Sequence, residues 1–271
     1  MMAVALIQGA SRGLGLAFCR HLLARPGFGS QGEEPQVVTV IATCRDPDGA
    51  RELQALQHPS SSSHSRLQML RLDVTQEDEI RRAAEMVAQQ HGHVDLLINV
   101  AAMLHPSGRG ETSLRDVTAE GLTATLAVNT LGPLLMAKHF AGLLQKGGGH
   151  FGQQMGKGHN AVLVNISARV GSIGDNALGG WYSYRLSKAA LNMATRNLGV
   201  ELSRGKGRVV CISVHPGTVD TDLSRAYHRN VAPNKLFTPE KAVQHIMNTV
   251  NKLGFEQTGK FYAWDGTEIP W

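Results

Sequence analysis

The sequence predicts an α/β protein built on a doubly wound parallel sheet of about seven strands, with helices on both faces. Short apolar segments rich in Val, Ile and Leu alternate with longer helical patterns along the chain, which is the order typical of βα units. Such continuous apolar segments indicate parallel strands that are covered on both faces. With 271 residues, 42% of them hydrophobic, the chain can bury one large core. We therefore expect a single domain over residues 1–271.

The elements follow one another in a regular order. The predicted strands lie at residues 3–7, 37–42, 67–72, 96–100, 161–166 and 209–214. The predicted helices lie at residues 14–23, 48–56, 77–90, 121–144, 182–202 and 239–253. Segments rich in Gly, Ser, Pro or polar residues are predicted surface loops, at residues 25–36, 58–65 and 146–159. Substrate loops are expected near residues 103–112, 171–181 and 217–236.

Composition and charge exclude several classes of protein. No apolar run reaches the length of about 18 residues that a membrane span needs, and the first strand begins too early for a signal peptide. Cys19, Cys44 and Cys211 are widely separated, so neither a disulfide framework nor a metal site is expected. They indicate buried thiols in a reducing compartment, and we expect a cytoplasmic protein.

The chain carries a net charge of +5 and a pI near 9.3. No basic run with interleaved aromatic residues accompanies this charge, so binding to nucleic acid is not expected. The positive charge would attract a phosphorylated cofactor as well as it would attract a nucleic acid.

Tyr184 and Lys188 stand one turn apart on a predicted helix and therefore share one face. The ammonium of Lys188 would favour the phenolate and lower the pKa of Tyr184 below its free value of about 10. A tyrosine with this neighbour can protonate a carbonyl oxygen during reduction. The alternative is a solvated lysine beside a half-buried tyrosine.

A glycine-rich turn joins the first strand to the first helix. Residues 8–15 read Gln-Gly-Ala-Ser-Arg-Gly-Leu-Gly, and this strand-to-helix position is where a dinucleotide-binding turn is found. Gly9 permits the tight turn, and Gly13 and Gly15 let the backbone approach a pyrophosphate. The predicted cofactor contacts in this turn are Gly9, Ser11, Arg12, Gly13, Leu14 and Gly15.

Three further motifs follow in order: Leu-Asp-Val-Thr at 72–75, Asn-Val-Ala-Ala at 99–102 and His-Pro-Gly-Thr-Val-Asp-Thr-Asp at 215–222. Together with the glycine turn, they make the chain resemble a classical short-chain dehydrogenase/reductase over nearly its whole length. Residues 171–180 and 264–271 resemble the branch of sniffer carbonyl reductase and the bacterial C-factor proteins. The chain departs from the family at Gln8 (usually Thr), Val100 (usually Asn) and Ala102 (usually Gly). The resemblance implies a single Rossmann-type domain.

The resemblance also implies the remaining cofactor contacts. Asp73 would accept a hydrogen bond from the adenine amino group and Val74 would donate its backbone N–H, although Asp73 could instead cap a helix. Small residues after the fourth strand leave room for the adenosine ribose. The implied contacts around the ribose and the nicotinamide are Asn99, Ala101, Tyr184, Lys188, Pro216, Gly217, Val219 and Thr221.

The end of the second strand decides between the two nicotinamide cofactors, because an acidic residue there binds the ribose diol and a cation binds a 2′-phosphate. Residues 43–45 read Thr-Cys-Arg. Arg45 and Arg12 would form a two-guanidinium clamp for the phosphate, which favours NADP(H). In the competing interpretation Asp46 faces the ribose and Arg45 faces solvent.

The family's catalytic tetrad of Asn, Ser, Tyr and Lys falls on this chain at Asn129, Tyr184 and Lys188. Asn129 interrupts a long predicted helix, which suggests a kink or a water-holding role, and the family assigns it a water that bridges toward the lysine. The catalytic serine position is Ala168, within Asn-Ile-Ser-Ala-Arg-Val-Gly at 165–171. Either the serine hydroxyl is effectively absent, or Ser172 or Ser167 replaces it.

The expected function is NADPH-dependent reduction of an aldehyde, ketone or quinone, with Tyr184 as the proton donor. The alternative is an NADP(H)-binding regulatory or signalling protein with weak or no turnover, because Ala168 replaces the serine. The expected partner is a small-molecule carbonyl compound, and neither a membrane nor a nucleic acid is expected as a partner. The sequence does not fix the oligomeric state, but the long helices at 121–144 and 182–202 could pair across a two-fold axis in a homodimer or homotetramer. The apolar side chains expected to frame the pocket are Met103, Leu104, Ile173, Trp181, Val219 and Leu223.

Overall fold

The structure is a computed structural model that describes residues 2–24, 37–57, 66–152 and 158–271. The loops predicted at 25–36 and 58–65 lie outside the described residues, as do residues 153–157 of the third predicted loop.

Strands and helices alternate through the described residues. The strands are β1 (Ala3–Gln8), β2 (Val38–Cys44), β3 (Leu67–Arg71), β4 (Leu96–Asn99), β5 (Ala161–Ile166), β6 (Val209–His215), β7 (Thr218–Val219), β8 (Leu236–Phe237) and β9 (Lys260–Ala263). The α-helices are α1 (Gly13–Ala24), α2 (Arg51–Gln54), α3 (Glu77–Gln90), α4 (Ala119–Leu126), α5 (Gly132–Leu144), α6 (Tyr182–Glu201) and α7 (Pro239–Val250). A π-helical turn, Ala127–Leu131, joins α4 to α5.

Seven strands form one sheet in the order β3-β2-β1-β4-β5-β6-β9, and every neighbouring pair in it is parallel. The chain builds outward from β1 in one direction and then returns to build outward from β4 in the other. This reversal opens a crevice at the carboxyl ends of β1 and β4, where α/β sheets of this kind bind ligands. The predicted fold class is confirmed.

The two faces of the sheet carry separate halves of the core. Ile7 of β1 packs with Phe18 of α1 in the cluster beneath α1 and α7. Its neighbour Leu6 points to the opposite face and shares a cluster with Phe140 of α5, together with residues of α3 and α6. All residues of β1, β2 and β5 are buried, which explains why their sequences show no polar alternation.

Three differences from the sequence prediction have local causes. The edge strand β9 was not predicted, because it has four residues and only three of them are apolar. The helix predicted at 48–56 is reduced to Arg51–Gln54, because the Asp46 carboxylate accepts the Gly49 N–H at 3.0 Å and holds a turn before it. The helix predicted at 121–144 runs through the π-helical turn rather than as one regular α-helix.

Apolar side chains on the outer surface of α5 and α6 remain exposed, among them Leu134, Leu186 and Met193. The pairing of these helices across a two-fold axis stays a prediction. No helix in the described part of the chain is both long enough and apolar enough to cross a membrane.

Candidate active site

The residues singled out by the sequence converge on the carboxyl edge of the sheet. Gly9 follows β1, Asn99 ends β4, Ala168 follows β5 and Pro216 follows β6. These four strands are adjacent in the sheet, so segments far apart in the chain surround one crevice. The structure therefore brings the expected cofactor and catalytic residues to the same edge.

The turn after β1 is shaped for close backbone approach. Gly9 has φ +85°, and a Cβ there would lie 2.6 Å from the Ala101 backbone nitrogen. Gln8, at the position where the family has Thr, accepts the Ala101 N–H at 3.1 Å and so ties β1 to the segment after β4. Gly13 faces the loop after β6, since a Cβ there would lie 3.3 Å from Thr221 Cγ2. This cradle fits a dinucleotide pyrophosphate.

The expected clamp of Arg12 with Arg45 around a 2′-phosphate stays a prediction. Arg12 Nη1 donates to Asp222 Oδ2 at 3.0 Å, and the Arg12 side chain is 74% exposed. A guanidinium pairs favourably with a nearby carboxylate, here one on the facing loop. Arg45 is exposed at the end of β2, and the Asp46 carboxylate is used in its own turn. Arg45 is therefore the basic side chain expected at the 2′-phosphate.

Asp73 and Asn99 are the residues expected to contact the adenosine of the cofactor. Asp73 Oδ1 accepts the Thr75 N–H at 2.9 Å and the Thr75 hydroxyl at 2.8 Å, so it stabilises a turn and does not cap α3, which begins at Glu77. Asn99 donates to Asn165 Oδ1 at 2.8 Å. The Oδ1 atom of Asn99 is buried and has no hydrogen-bond partner in the described chain. A buried acceptor of this kind needs a donor, which a bound ribose hydroxyl could supply.

Tyr184 and Lys188 are both buried at the start of α6, with 7% and 1% of their surfaces exposed. Lys188 Nζ donates to the Ile166 carbonyl at 2.8 Å and lies 5.7 Å from the centre of the Tyr184 ring. The expected lowering of the Tyr184 pKa is not found: burial raises it above its ordinary value. Burial also lowers the pKa of Lys188 to about 7. Desolvation thus outweighs the attraction between the two groups.

The lowered pKa of Lys188 predicts a dependence of stability on pH. Its ordinary value is 10.5 and its folded value is about 7, so between these values the unfolded chain binds a proton that the folded chain lacks. Stability therefore rises with pH through this window, by up to about 1.4 kcal/mol per pH unit. Denaturant titrations at pH 7, 8, 9 and 10, without added nucleotide, should show wild type gaining stability relative to Lys188→Met.

Lys206→Met is the control for this prediction, because Lys206 is exposed. Its stability difference from wild type should stay constant with pH. A constant difference for Lys188→Met as well would contradict the buried, depressed lysine.

Asn129 lies at the centre of the π-helical turn and is fully buried. Its Oδ1 accepts the Met103 N–H at 2.8 Å, and its Nδ2 donates to the Met103 carbonyl at 2.7 Å and to Ser187 Oγ at 2.9 Å. The π-helical turn is the helix irregularity that the sequence led us to expect at Asn129. Such turns widen a helix locally and often mark functional sites. Both amide protons are used, so the side chain joins the loop after β4 to α6.

Neither alternative serine is directed at Tyr184. Ser167 donates to Asn192 Oδ1 at 2.7 Å, and Ser172 donates to the Pro270 carbonyl at 2.5 Å. Ala168 itself shares a buried cluster with Tyr184 and Leu104, so a methyl group occupies the place expected for the catalytic hydroxyl. Replacement by Ser167 or Ser172 is not supported, because each hydroxyl proton already has an acceptor elsewhere.

The side chains packed around Tyr184 are aromatic and apolar. Trp181, Leu223 and Tyr227 pack against the cluster of Leu104, Ala168 and Tyr184. Two expected pocket residues lie elsewhere: Ile173 is 78% exposed, and Val219 packs with Phe237 in another cluster. The Trp181 and Tyr227 rings are 4.5 Å apart between centres.

The sequence did not single out Tyr227 or Glu111, and it gave His215 no role although that residue begins the motif at 215–222. Tyr227 and Glu111 belong to no motif, and only their positions in the expected substrate loops could have drawn attention to them. His215 directly precedes Pro216, and its burial, together with the charge of Arg169, lowers its pKa to about 4. This histidine is therefore neutral at physiological pH.

Comparison with known proteins finds related sequences and structures. A family model described as short chain dehydrogenase matches residues 3–232. The NADPH-bound carbonyl reductase from chicken fatty liver is 33% identical, with a TM-score of 0.81 over 100% of this chain and 99% of the other. Carbonyl reductase Sniffer of D. melanogaster is 31% identical, with a TM-score of 0.82 over the whole of both chains. The C-signal of Myxococcus xanthus is 33% identical over 66% of this chain and 94% of its own length. The resemblance to the sniffer and C-factor branch is confirmed.

Proposed function

Because the chain belongs to the short-chain dehydrogenase family, we propose that it reduces a small carbonyl compound, an aldehyde, ketone or quinone, with NADPH. The observation that carries this proposal is the buried pair of Tyr184 and Lys188 beside an apolar and aromatic cluster at the carboxyl edge of the sheet. Such a pair has no packing advantage, since burying a lysine costs free energy unless its charge is used.

The proposed reaction needs an acid at the carbonyl oxygen, and Tyr184 is placed to donate that proton from its phenol. Lys188 would lower the energy of the resulting phenolate when it carries its proton. Asn129 would hold a relay water as a hydrogen-bond acceptor, because both of its amide protons are already donated to other groups. NADPH would supply the hydride when it is bound in the cradle after β1. The apolar wall of Trp181 and Tyr227 would exclude bulk water from the reacting carbonyl.

A screen of NADPH oxidation tests this function directly. Purified protein is mixed with NADPH and, in turn, with quinones, aldehydes, diketones and pteridines, and absorbance of the reduced cofactor is followed. Oxidation that requires both the protein and a carbonyl compound is expected. Absence of turnover with all four classes would count against the proposed reaction.

Arg45 is proposed to select NADPH over NADH through the 2′-phosphate. Arg45→Ala should weaken NADPH binding about 10-fold, because one charge-assisted contact is lost, while NADH binding stays unchanged. Fluorescence titration of both cofactors measures the ratio. Arg51→Ala, which removes a nearby exposed arginine, is the matched control. Equal affinity of the wild type for the two cofactors would rule out this role.

A second function is supported by Ala168. If the missing hydroxyl leaves turnover negligible, the chain would act as an NADP(H)-binding regulatory or signalling protein. The similarity to a relative named C-signal supports this alternative. The two functions separate in one comparison: NADPH binding without oxidation in the carbonyl screen supports the regulatory protein, and binding with oxidation supports the reductase. The unpaired buried thiols Cys19, Cys44 and Cys211 fit a reducing compartment such as the cytoplasm in either case.

A further inference from the structure

Glu111 is a buried carboxylate that the proposed reaction does not use. It lies in the loop between β4 and α4 and is only 4% exposed. Its two carboxylate oxygens accept the Ser183 N–H at 3.1 and 3.3 Å, and Oε1 also accepts the Ser183 hydroxyl. Burial alone would raise the pKa of Glu111, but the hydrogen bonds from Ser183 and from the Glu111 backbone, together with the nearby His105, hold the pKa below its ordinary value. The group is therefore an anion at neutral pH.

The Glu111 carboxylate acts as an N-cap of α6. Trp181, at the cap position of α6, makes no side-chain hydrogen bond to the helix, although the first N–H groups of any helix need acceptors. The Glu111 side chain satisfies Ser183, and its backbone carbonyl accepts the Trp181 N–H at 2.6 Å. A carboxylate at this end also interacts favourably with the helix dipole. Glu111 thus binds both residues that flank the start of the catalytic helix.

Trp181 needs this support because its backbone is strained. Its φ is +50°, and among the described residues it is the one non-glycine residue with positive φ. For a bulky side chain such a conformation is costly and persists only where the surroundings enforce it. The conformation points the indole toward Tyr227 at 4.5 Å and Tyr184 at 6.3 Å between ring centres.

The residue before Glu111 completes the arrangement. Gly110 donates its N–H to the Tyr227 hydroxyl at 2.8 Å. A Cβ at Gly110 would lie 2.6 Å from Trp181 Cδ1, so the indole packs directly on this glycine. Gly110 and Glu111 therefore contact, by backbone or side chain, both Trp181 and Tyr227 and the first turn that carries Tyr184.

We propose that Glu111 is a positioning residue: it holds Trp181 and the first turn of α6, and thereby sets the Tyr184 phenol and the aromatic wall against the substrate carbonyl. This inference rests on the proposed reductase function. Glu111 acts through Trp181 and Ser183 and does not itself contact the substrate.

The test compares Glu111→Ala and Glu111→Gln with a control from the same loop. Glu111→Ala should lower kcat about 10- to 100-fold, the cost of a misplaced reacting group, with NADPH affinity within twofold of wild type. Glu111→Gln should recover most of the loss, because an amide oxygen can still accept from Ser183. The control is Asp116→Ala, which removes an exposed carboxylate that accepts the Ser113 N–H at 3.0 Å without touching α6, and it should retain wild-type kcat.

A second readout does not need turnover. Near-ultraviolet circular dichroism reports the packed Trp181 ring, and Trp181→Phe identifies its contribution to the spectrum. Glu111→Ala should lose that contribution, whereas Glu111→Gln and Asp116→Ala should keep it. If the wild type reduces no carbonyl compound, the proposed function fails, and this spectrum still decides whether Glu111 holds Trp181.

Either of two results overturns the inference: wild-type kcat and an unchanged Trp181 signal in Glu111→Ala, or equal losses of kcat and NADPH affinity in both Glu111 variants. If Glu111→Ala does not fold, Ser183→Ala takes its place. It must lower kcat with NADPH affinity retained, and an unchanged kcat would overturn the role of the cap.

Discussion

Tyr184→Phe is expected to lower kcat for carbonyl-dependent NADPH oxidation by about 10²- to 10⁴-fold, the usual contribution of a positioned general acid. Only the phenolic hydroxyl is removed, and the ring keeps its contacts with Leu104 and Ala168. NADPH affinity and the midpoint of thermal unfolding should therefore remain close to wild type. Steady-state kinetics and fluorescence titration of the cofactor measure the two quantities separately.

Tyr182→Phe is the matched control for this prediction, because it removes a phenol two residues earlier on the same helix. It should leave kcat within a few-fold of wild type. Comparable activity in Tyr184→Phe and wild type would show that another group protonates the carbonyl, and the mechanism would then have to be abandoned.

Ala168→Ser should have the opposite effect, a gain in kcat on the order of 10²-fold. The serine would place a hydroxyl in the cluster that contains Tyr184, where a donor to the developing oxyanion is worth about 10² to 10³ in rate. Cofactor affinity should not change, since the gain arises at the substrate oxygen. Initial rates at saturating NADPH measure the effect.

Two comparisons make this gain interpretable. Ala194→Ser places a hydroxyl at another alanine of equal exposure, 9% in each case, and should give no gain. In a Tyr184→Phe background the Ala168→Ser gain should largely disappear, because residues that act on one reacting oxygen are not additive. An unchanged kcat in Ala168→Ser alone would mean that another donor already serves the substrate oxygen.

Some features of the site could be predicted because they are local in the chain. The glycine turn follows β1 directly, and its glycines stand close together within residues 8–15. The absence of the serine is likewise read from one position, Ala168. The poor fit of asparagine to a helix interior at Asn129 suggested a kink or a water-holding role, and the structure has a π-helical turn there.

Other features depend on residues far apart in the chain. Ser183 and Glu111 are 72 positions apart, and Ser172 and Pro270 are 98 apart. No sequence pattern connects such pairs, because their contacts arise from the packing of loops at the sheet edge. The pairing of Arg12 with Asp222, across 210 positions, could not be predicted for the same reason.

The amino-acid sequence by itself determined the α/β fold, the family and the identity of the Tyr184 and Lys188 pair, since these follow from periodicity and from motifs within a few residues. Only the tertiary structure decided the electrostatics of that pair. The sequence predicted a lowered pKa for Tyr184 from its charged neighbour, but burial raises the Tyr184 pKa and lowers that of Lys188 to about 7. Spacing along a helix sets which groups are neighbours, whereas the cost of a charge depends on how much water the whole fold leaves around it.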